Sequence, residues 1–360
     1  MSFELCDKVR ELEPYEPITG SYAIRLDANE SFYPMPEEIR EEIKTIVDKT
    51  DFNRYPDPLA KKPIAAFAAY YGISPDNVTA TNGSDEMLYL LASAMLNKNS
   101  TVIVAEPDFS MYRFYSFLSE NVVYAYPKTE SLQIRVDDLI TLANEKQADM
   151  IIFSNPCNPT GQGISAGDAR RLVRSVKGLV VLDEAYMDFW DQSILTEAAD
   201  DDNLIVLKTA SKAVGAAALR LGFAVSNPTL TKALRAVKSP YNVNTLTQEI
   251  GACVYGHREL LQERRESIIR NTRELFGAFL KLKENYRLPF DILEPCANFV
   301  LIRTGLAEDI FRYLLENGIA VRYFGNISAL RITAGSEQEN AALLSCIERY
   351  IMEKYLSGKH

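Results

Sequence analysis

Histidine is scarce in this chain: 360 residues hold two, His257 and the terminal His360. That excludes a histidine-rich metal site, and a Ser-His-Asp relay would have to rest on His257 alone. His257 stands in the charged helical stretch YGHRELLQERRES, where a solvated or capping role is expected. The five cysteines (Cys6, Cys157, Cys253, Cys296, Cys346) are odd in number, scattered and never spaced as CxxC. They promise neither a disulfide framework nor a zinc knuckle, and no metal is expected at the functional site. Long apolar runs are missing as well: none approaches a membrane span, and the opening MSFELCDKVRELEPYEP lacks the apolar core of a secretion signal. Basic charge is in deficit, 39 Lys and Arg against 49 Asp and Glu, a net of −10. Such a balance disfavours nucleic acid and anionic membrane as partners. The chain reads as soluble and cytoplasmic.

What is present is ordinary globular composition, 47% hydrophobic and 24% charged. The length exceeds the usual domain of about 100–200 residues, so one large α/β unit or two unequal domains are expected. From about residue 60 to 255, helical stretches alternate with short apolar runs: NVTAT (77–81), STVIVAE (100–106), ADMIIF (148–153), GLVVL (178–182), NLIVLKT (203–209) and LGFAV (221–225). This alternation predicts an α/β domain with a mostly parallel sheet between helices. The last third changes character, with a long charged helix (257–285) followed by ANFVLIRT (297–304), a short helix, and ALRITAG (329–335). We read it as a smaller α+β domain. The expected division is an N-terminal arm (1–43) lying with the small domain, a large domain (44–256) and the small C-terminal domain (257–360).

In an open α/β sheet, ligands bind at the carboxyl ends of the strands, so the residues following each run carry the most information. After NVTAT, Asn82-Gly83-Ser84-Asp85 opens a helix and presents free backbone N–H groups to an anion. Turns of this kind also cap many ordinary helices. After ADMIIF comes SNPCNPTG (154–161), a turn stiffened by two Asn-Pro pairs that holds a side-chain amide at the sheet edge. After GLVVL, Asp183 ends a buried apolar strand and needs a cationic or donor partner. After NLIVLKT, Lys212 stands among small residues, where desolvation would lower its pKa and make it a nucleophile for Schiff-base chemistry. Thr209, Ser211 and Arg220 would clamp a phosphate beside it. One ligand suits all of these groups: an aldehyde bearing a phosphate and a ring nitrogen, which is pyridoxal phosphate.

The set NPCNPTG (155–161), DEAY (183–186), SKAVGAAALRLGF (211–223) and LRITAG (330–335) resembles the fold type I pyridoxal-phosphate aminotransferases, built like aspartate aminotransferase. With LDANES (26–31), NRYPDP (53–58) and VRYF (321–324), it is similar within them to the histidinol-phosphate aminotransferase family. The resemblance implies that Lys212 links to the cofactor and carries the proton, that Asp183 pairs with the ring nitrogen, and that Asn158 and Tyr186 bond the ring hydroxyl. It places Ser84, Asp85, Thr209, Ser211 and Arg220 on the phosphate and stacks Phe109 on the ring. Tyr55 would reach the phosphate of a neighbouring subunit, implying a homodimer. Arg331, with Arg322 and Tyr15, would bind the anionic ends of the substrate. Phe109 stands where the family often has Tyr, and Gly325–Ala329 is shorter than in many members. The implied reaction is transfer of an amino group from histidinol phosphate to 2-oxoglutarate, in histidine biosynthesis. An aromatic amino-acid donor and a threonine-phosphate decarboxylase-like lyase remain open alternatives.

Overall fold

The computed structural model describes residues 3–10, 12–14 and 18–356. Its strands in chain order are β1 (Ile24–Leu26), β2 (Val78–Asn82), β3 (Thr101–Glu106), β4 (Val122–Pro127), β5 (Met150–Ser154) and β6 (Leu179–Asp183), then β7 (Leu204–Thr209), β8 (Leu221–Ser226), β9 (Asp291–Leu293), β10 (Phe299–Arg303), β11 (Ile319–Phe324) and β12 (Ala329–Thr333). They form two sheets. The larger has the order β2-β8-β7-β6-β5-β3-β4, and the smaller β1-β11-β12-β10-β9.

In the larger sheet every neighbouring pair is parallel except those of β8, which runs antiparallel to both β2 and β7. The six runs read from sequence are strands here. The edge strand β4 escaped that reading because its side chains are mostly exposed and give no apolar run. Along the central strands successive residues enter different cores. Val180 and Leu182 of β6, with Leu204 and Val206 of β7, pack on one face. Val181, Ile205 and Leu207 pack on the other. The period of two sends alternate side chains to opposite faces, and helices cover both, so near-continuous apolar strands result.

The smaller sheet is antiparallel apart from β1, which pairs parallel with β11 and so brings the N-terminal segment to its edge. The helix Arg258–Tyr286, 29 residues and roughly 43 Å long at 1.5 Å per residue, serves both sheets. Its Leu261 joins the large-sheet core. Ile268 lies in a small cluster with Tyr186 and Phe299. Leu275, Phe279 and Leu282 belong to the small-sheet core.

One close approach fixes the position of the functional region. Strand β8 passes so near the start of the helix Gly83–Ala94 that a Cβ on Gly222 would lie 2.4 Å from the Gly83 carbonyl carbon and 2.5 Å from the Ser84 nitrogen. Gly83 itself has φ +72°, and a Cβ there would meet the Arg220 guanidinium at 2.8 Å. Glycine at both positions lets the helix N-terminus sit directly on the sheet. We predict that Gly222→Ala destabilises the protein by about 1–3 kcal/mol through overpacking and weakens binding of a phosphate-bearing ligand. Urea unfolding and ligand titration check this; wild-type behaviour in both would show that the approach is not needed.

Candidate active site

The carboxyl ends of β5, β6 and β7 and the start of the helix Gly83–Ala94 converge on one cavity of about 460 Å³. Twelve residues picked out from sequence line it: Ser84, Asp85, Phe109, Asn158, Asp183, Tyr186, Thr209, Ser211, Lys212, Arg220, Arg322 and Arg331. Two do not. Tyr55 is 82% exposed and stacks on Tyr241, ring centroids 4.7 Å apart, away from the cavity lining of this chain. Tyr15 lies outside the described residues.

Lys212 differs from the sequence expectation in its surroundings. It is half-buried rather than shut away from water, because it stands on the open side of the cavity. Its Nζ donates to the Ala28 carbonyl at 2.8 Å, and it lies 5.8 Å from the centre of the Tyr186 ring. No carboxylate ion-pairs with it among the described residues, so a neutral oxygen holds the amine.

Thr209, Ser211, Arg220 and the helix start at Ser84 lie together on one part of the cavity lining. Thr209 Oγ1 donates to Ser211 Oγ at 3.0 Å and accepts from the Ser211 amide at 3.1 Å. Arg220 sits at φ 50°, a left-handed conformation costing a non-glycine residue roughly 1–2 kcal/mol. Its Nη2 reaches Asp85 at 3.1 Å. Hydroxyls, a guanidinium and a helix N-terminus together form a site for a dianion. The donor set therefore fits pyridoxal phosphate, with an amine for its aldehyde and a buried carboxylate for its ring nitrogen.

Asp183 is that carboxylate. It is buried, and burial pushes its pKa up to about 6. The Tyr112 hydroxyl donates to its Oδ2 at 2.8 Å, and the Ala185 amide to its Oδ1 at 3.1 Å, both opposing that rise. Tyr112 was missed in the sequence. The signal was its position three residues after Phe109 in EPDFSMY, which brings the two rings edge to face at 5.6 Å.

Asp108 was missed too. It is buried, its Oδ1 accepts from the Phe109 amide at 2.8 Å and from Ser154 Oγ, and its Oδ2 pairs with Lys128 at 3.3 Å. Ser154 Oγ in turn accepts from the Asn158 amide at 3.0 Å. One neutralised carboxylate thus ties the loop bearing Phe109 to the loop bearing Asn158, which suits a buried charge that must be fully partnered. Of the two Asn-Pro pairs only the second serves the cavity. Asn155 is spent on its own turn, its Oδ1 accepting from the Ile164 amide at 2.8 Å.

The third group missed is the segment Asp27–Asn29, which crosses the cavity between the sheets. The Asp27 carbonyl accepts from Arg331 Nη2, the Ala28 carbonyl from Lys212, and Asn29 Nδ2 donates to the Tyr186 hydroxyl at 2.9 Å. Arg331 Nη1 also donates to Asn158 Oδ1. Arg331 is buried on β12, its register partner on β11 is Arg322, and both residues line the cavity.

Because ligand binding at Asp183 requires its ionised form, affinity for a cationic ring nitrogen should fall as pH drops through about 6. Removing the Tyr112 hydroxyl removes a donor that favours the charge, so Tyr112→Phe should move that fall to higher pH. Cofactor titration followed by absorbance at stepped pH measures the shift. An unmoved profile would mean that the hydroxyl does not tune the carboxylate.

Comparison with known proteins agrees with this geometry. The model of the family Aminotransferase class I and II matches residues 22–347. Histidinol-phosphate aminotransferase of Clostridium novyi (strain NT) is 38% identical over 343 residues, covering 94% of this chain and 95% of that protein. The enzyme of the same name from Clostridium kluyveri is 36% identical, covering 95% and 97%. Among solved structures, histidinol-phosphate aminotransferase from Sinorhizobium meliloti in complex with pyridoxal-5'-phosphate superposes with a TM-score of 0.84 at 21% identity, over 92% of each chain. Aspartate aminotransferase from Thermus thermophilus with maleate gives 0.81 at 19% identity, over 97% of this chain and all of that one. The chain belongs to the class I and II aminotransferases, in their histidinol-phosphate aminotransferase family, and is a pyridoxal-phosphate-dependent enzyme of the aspartate aminotransferase-like fold.

Proposed function

We propose that this chain transfers the amino group of histidinol phosphate to 2-oxoglutarate, as a step of histidine biosynthesis in the cytoplasm, and that it works as a homodimer. The observation that carries the reading is the meeting, in one cavity, of Lys212, Asp183 and the Arg220 anion site with Arg322 and Arg331. When bound, pyridoxal phosphate supplies an aldehyde that condenses with amines and a ring that withdraws the electron pair left as a substrate Cα bond breaks.

The residues divide the remaining work. Ser84 and Asp85, at the helix N-terminus, with Thr209, Ser211 and Arg220, hold the cofactor phosphate. Asp183 would pair with the ring nitrogen, with the Tyr112 hydroxyl favouring the charged form of Asp183. Asn158 and Tyr186 would bond the ring hydroxyl, and Phe109 would cover one ring face. The Lys212 amine would hold the cofactor through its aldehyde and would serve as the general base that takes the proton from the substrate Cα. Arg331 and Arg322 bind the anionic end of each substrate in turn: a phosphate of the donor, a carboxylate of the acceptor. Arginine suits both, since its planar fork matches either group.

The surface around NRYPDP supports the dimer. Phe52, Tyr55, Leu59 and Tyr241 expose 71%, 82%, 44% and 42% of their surface in the single chain, a density of apolar surface that marks an association face. Tyr55 on this face would serve the cavity of a second copy. Sedimentation should give twice the 40.5 kDa chain mass, and Tyr55→Ala should weaken cofactor binding without changing the fold. A monomer with full activity would defeat this part of the reading.

The decisive test is a donor panel with 2-oxoglutarate as acceptor. Histidinol phosphate should surpass phenylalanine, tyrosine and phosphothreonine in kcat/KM. Release of carbon dioxide from phosphothreonine without amino transfer would point to a lyase instead. Lys212→Ala should lose the borohydride-reducible link to the cofactor and at least about 10²–10⁴-fold in rate, the usual worth of a positioned general base.

A further inference from the structure

Outside the cavity, three potential ligands of different chemistry meet where two helices pack. Cys253 and His257 lie four residues apart, on one face at the end of the helix Thr245–Gly256. Glu42 comes from the helix Glu37–Asp48 beside it. Glu42 Oε1 is 2.9 Å from His257 Nε2, the Cys253 thiol donates to Glu42 Oε2 at 3.2 Å, and the three ligand atoms all lie within 4.8 Å of one another. The side chains of His257 and Glu42 are 22% and 49% exposed, so the cluster is open to solvent on one side. None of the three lines the cavity described above.

Two simpler roles account for less of this arrangement. A helix cap needs only the His257 backbone, whose amide already donates to the Val254 carbonyl at 3.1 Å. A nucleophilic Cys-His pair needs the imidazole beside the thiol, whereas here the carboxylate stands between them and takes a hydrogen bond from the thiol. What the geometry does provide is one nitrogen, one sulfur and one oxygen facing a common point.

We propose that Glu42, Cys253 and His257 bind one divalent cation of the zinc class, with water completing the coordination. Nitrogen and sulfur ligands select zinc and its soft relatives over magnesium or calcium. At zinc–ligand bonds of about 2.0–2.3 Å, tetrahedral ligand atoms stand roughly 3.3–3.7 Å apart. The two Glu42 separations therefore need to open by a few tenths of an ångström. The Cys253–His257 separation, within 4.8 Å, needs to close by at most about 1 Å, which side-chain rotation of these partly exposed residues supplies. The spacing of the cysteines did not reveal the site, because its ligands are joined by packing between helices and not by a CxxC motif. The bound ion would clamp the helix leading into the large domain to the origin of the helix Arg258–Tyr286.

The test uses the tag-free holoenzyme, treated with chelator and then titrated with Zn²⁺ alone by calorimetry and with Cd²⁺ alone by ultraviolet absorbance. One equivalent per chain, with a thiolate-to-cadmium charge-transfer band, is expected. Cys253→Ser should abolish the band, while His257→Gln and Glu42→Gln should each weaken uptake by at least about tenfold. Transaminase activity and the metal-free melting curve of all three variants should match wild type. Absence of stoichiometric uptake overturns the proposal. So does a band that survives Cys253→Ser, which would assign the metal to another thiol such as the exposed Cys6, and so does unchanged affinity in His257→Gln.

Discussion

The site depends on three consecutive residues that belong to neither sheet. Asp27, Ala28 and Asn29 follow directly on β1 and cross the cavity, each meeting a different functional side chain: Arg331, Lys212 and Tyr186. Two of the contacts use backbone carbonyls, which are neutral, strong acceptors indifferent to side-chain identity. A cation placed against a carbonyl is oriented without being neutralised. The Lys212 amine and the Arg331 guanidinium are thus oriented at the cavity by neutral oxygens. Asn29 is itself locked from the other side, its amide donating to Thr333 Oγ1 at 3.0 Å and its Oδ1 accepting from that hydroxyl at 3.1 Å.

Around this strap the cavity separates its charges by burial. Asp183 and Asp108 lie deep and are held by donors chosen for each: a tyrosine hydroxyl and an amide for Asp183, a serine, amides and Lys128 for Asp108. Arg220 stands at the mouth, exposed, with its charge spread toward Asp85. The acids are thus the deep groups, and Arg220 is the exposed one. A similar division appears on the opposite face of the sheet. Glu184, next to Asp183 in sequence, turns the other way and is pushed up to about 7 by burial, with Ser193 donating to it at 2.6 Å and Lys208 nearby. Adjacent acids at the end of β6 thus face different surroundings, Asp183 the cavity and Glu184 the side of Ser193 and Lys208, because side chains alternate between faces.

Much of the site was legible in the sequence because doubly wound sheets place ligands at strand ends. Lys212, Asp183, Ser84, Asn158, Thr209 and Arg220 each follow an apolar run closely, so reading past the runs found them. Tyr112, Asp108 and the Asp27–Asn29 strap were not legible for an equally physical reason. Tyr112 and Asp108 act through other side chains rather than on a ligand, so the only trace of Tyr112 in EPDFSMY is its spacing from Phe109, and Asp108 leaves none. The strap lies within LDANES, which pointed to the family without a role for its residues, because two of its three contacts are made by main-chain carbonyls. The reversal of β8 was also hidden, because a buried antiparallel strand flanked by parallel ones shows the same unbroken apolar run.

The helix Arg258–Tyr286 carries a mechanical consequence. Its one continuous backbone is rooted in the large core at Leu261 and in the small core at Leu275 and Phe279, with Ile268 midway beneath Tyr186 and Phe299. The two sheets therefore cannot drift apart like beads on a string. Any swing of the smaller one must bend or roll this spine, and the pivot falls next to the ring of Tyr186. Such a swing would be felt first at the Tyr186 hydroxyl on the cavity wall, before the distant rim has moved.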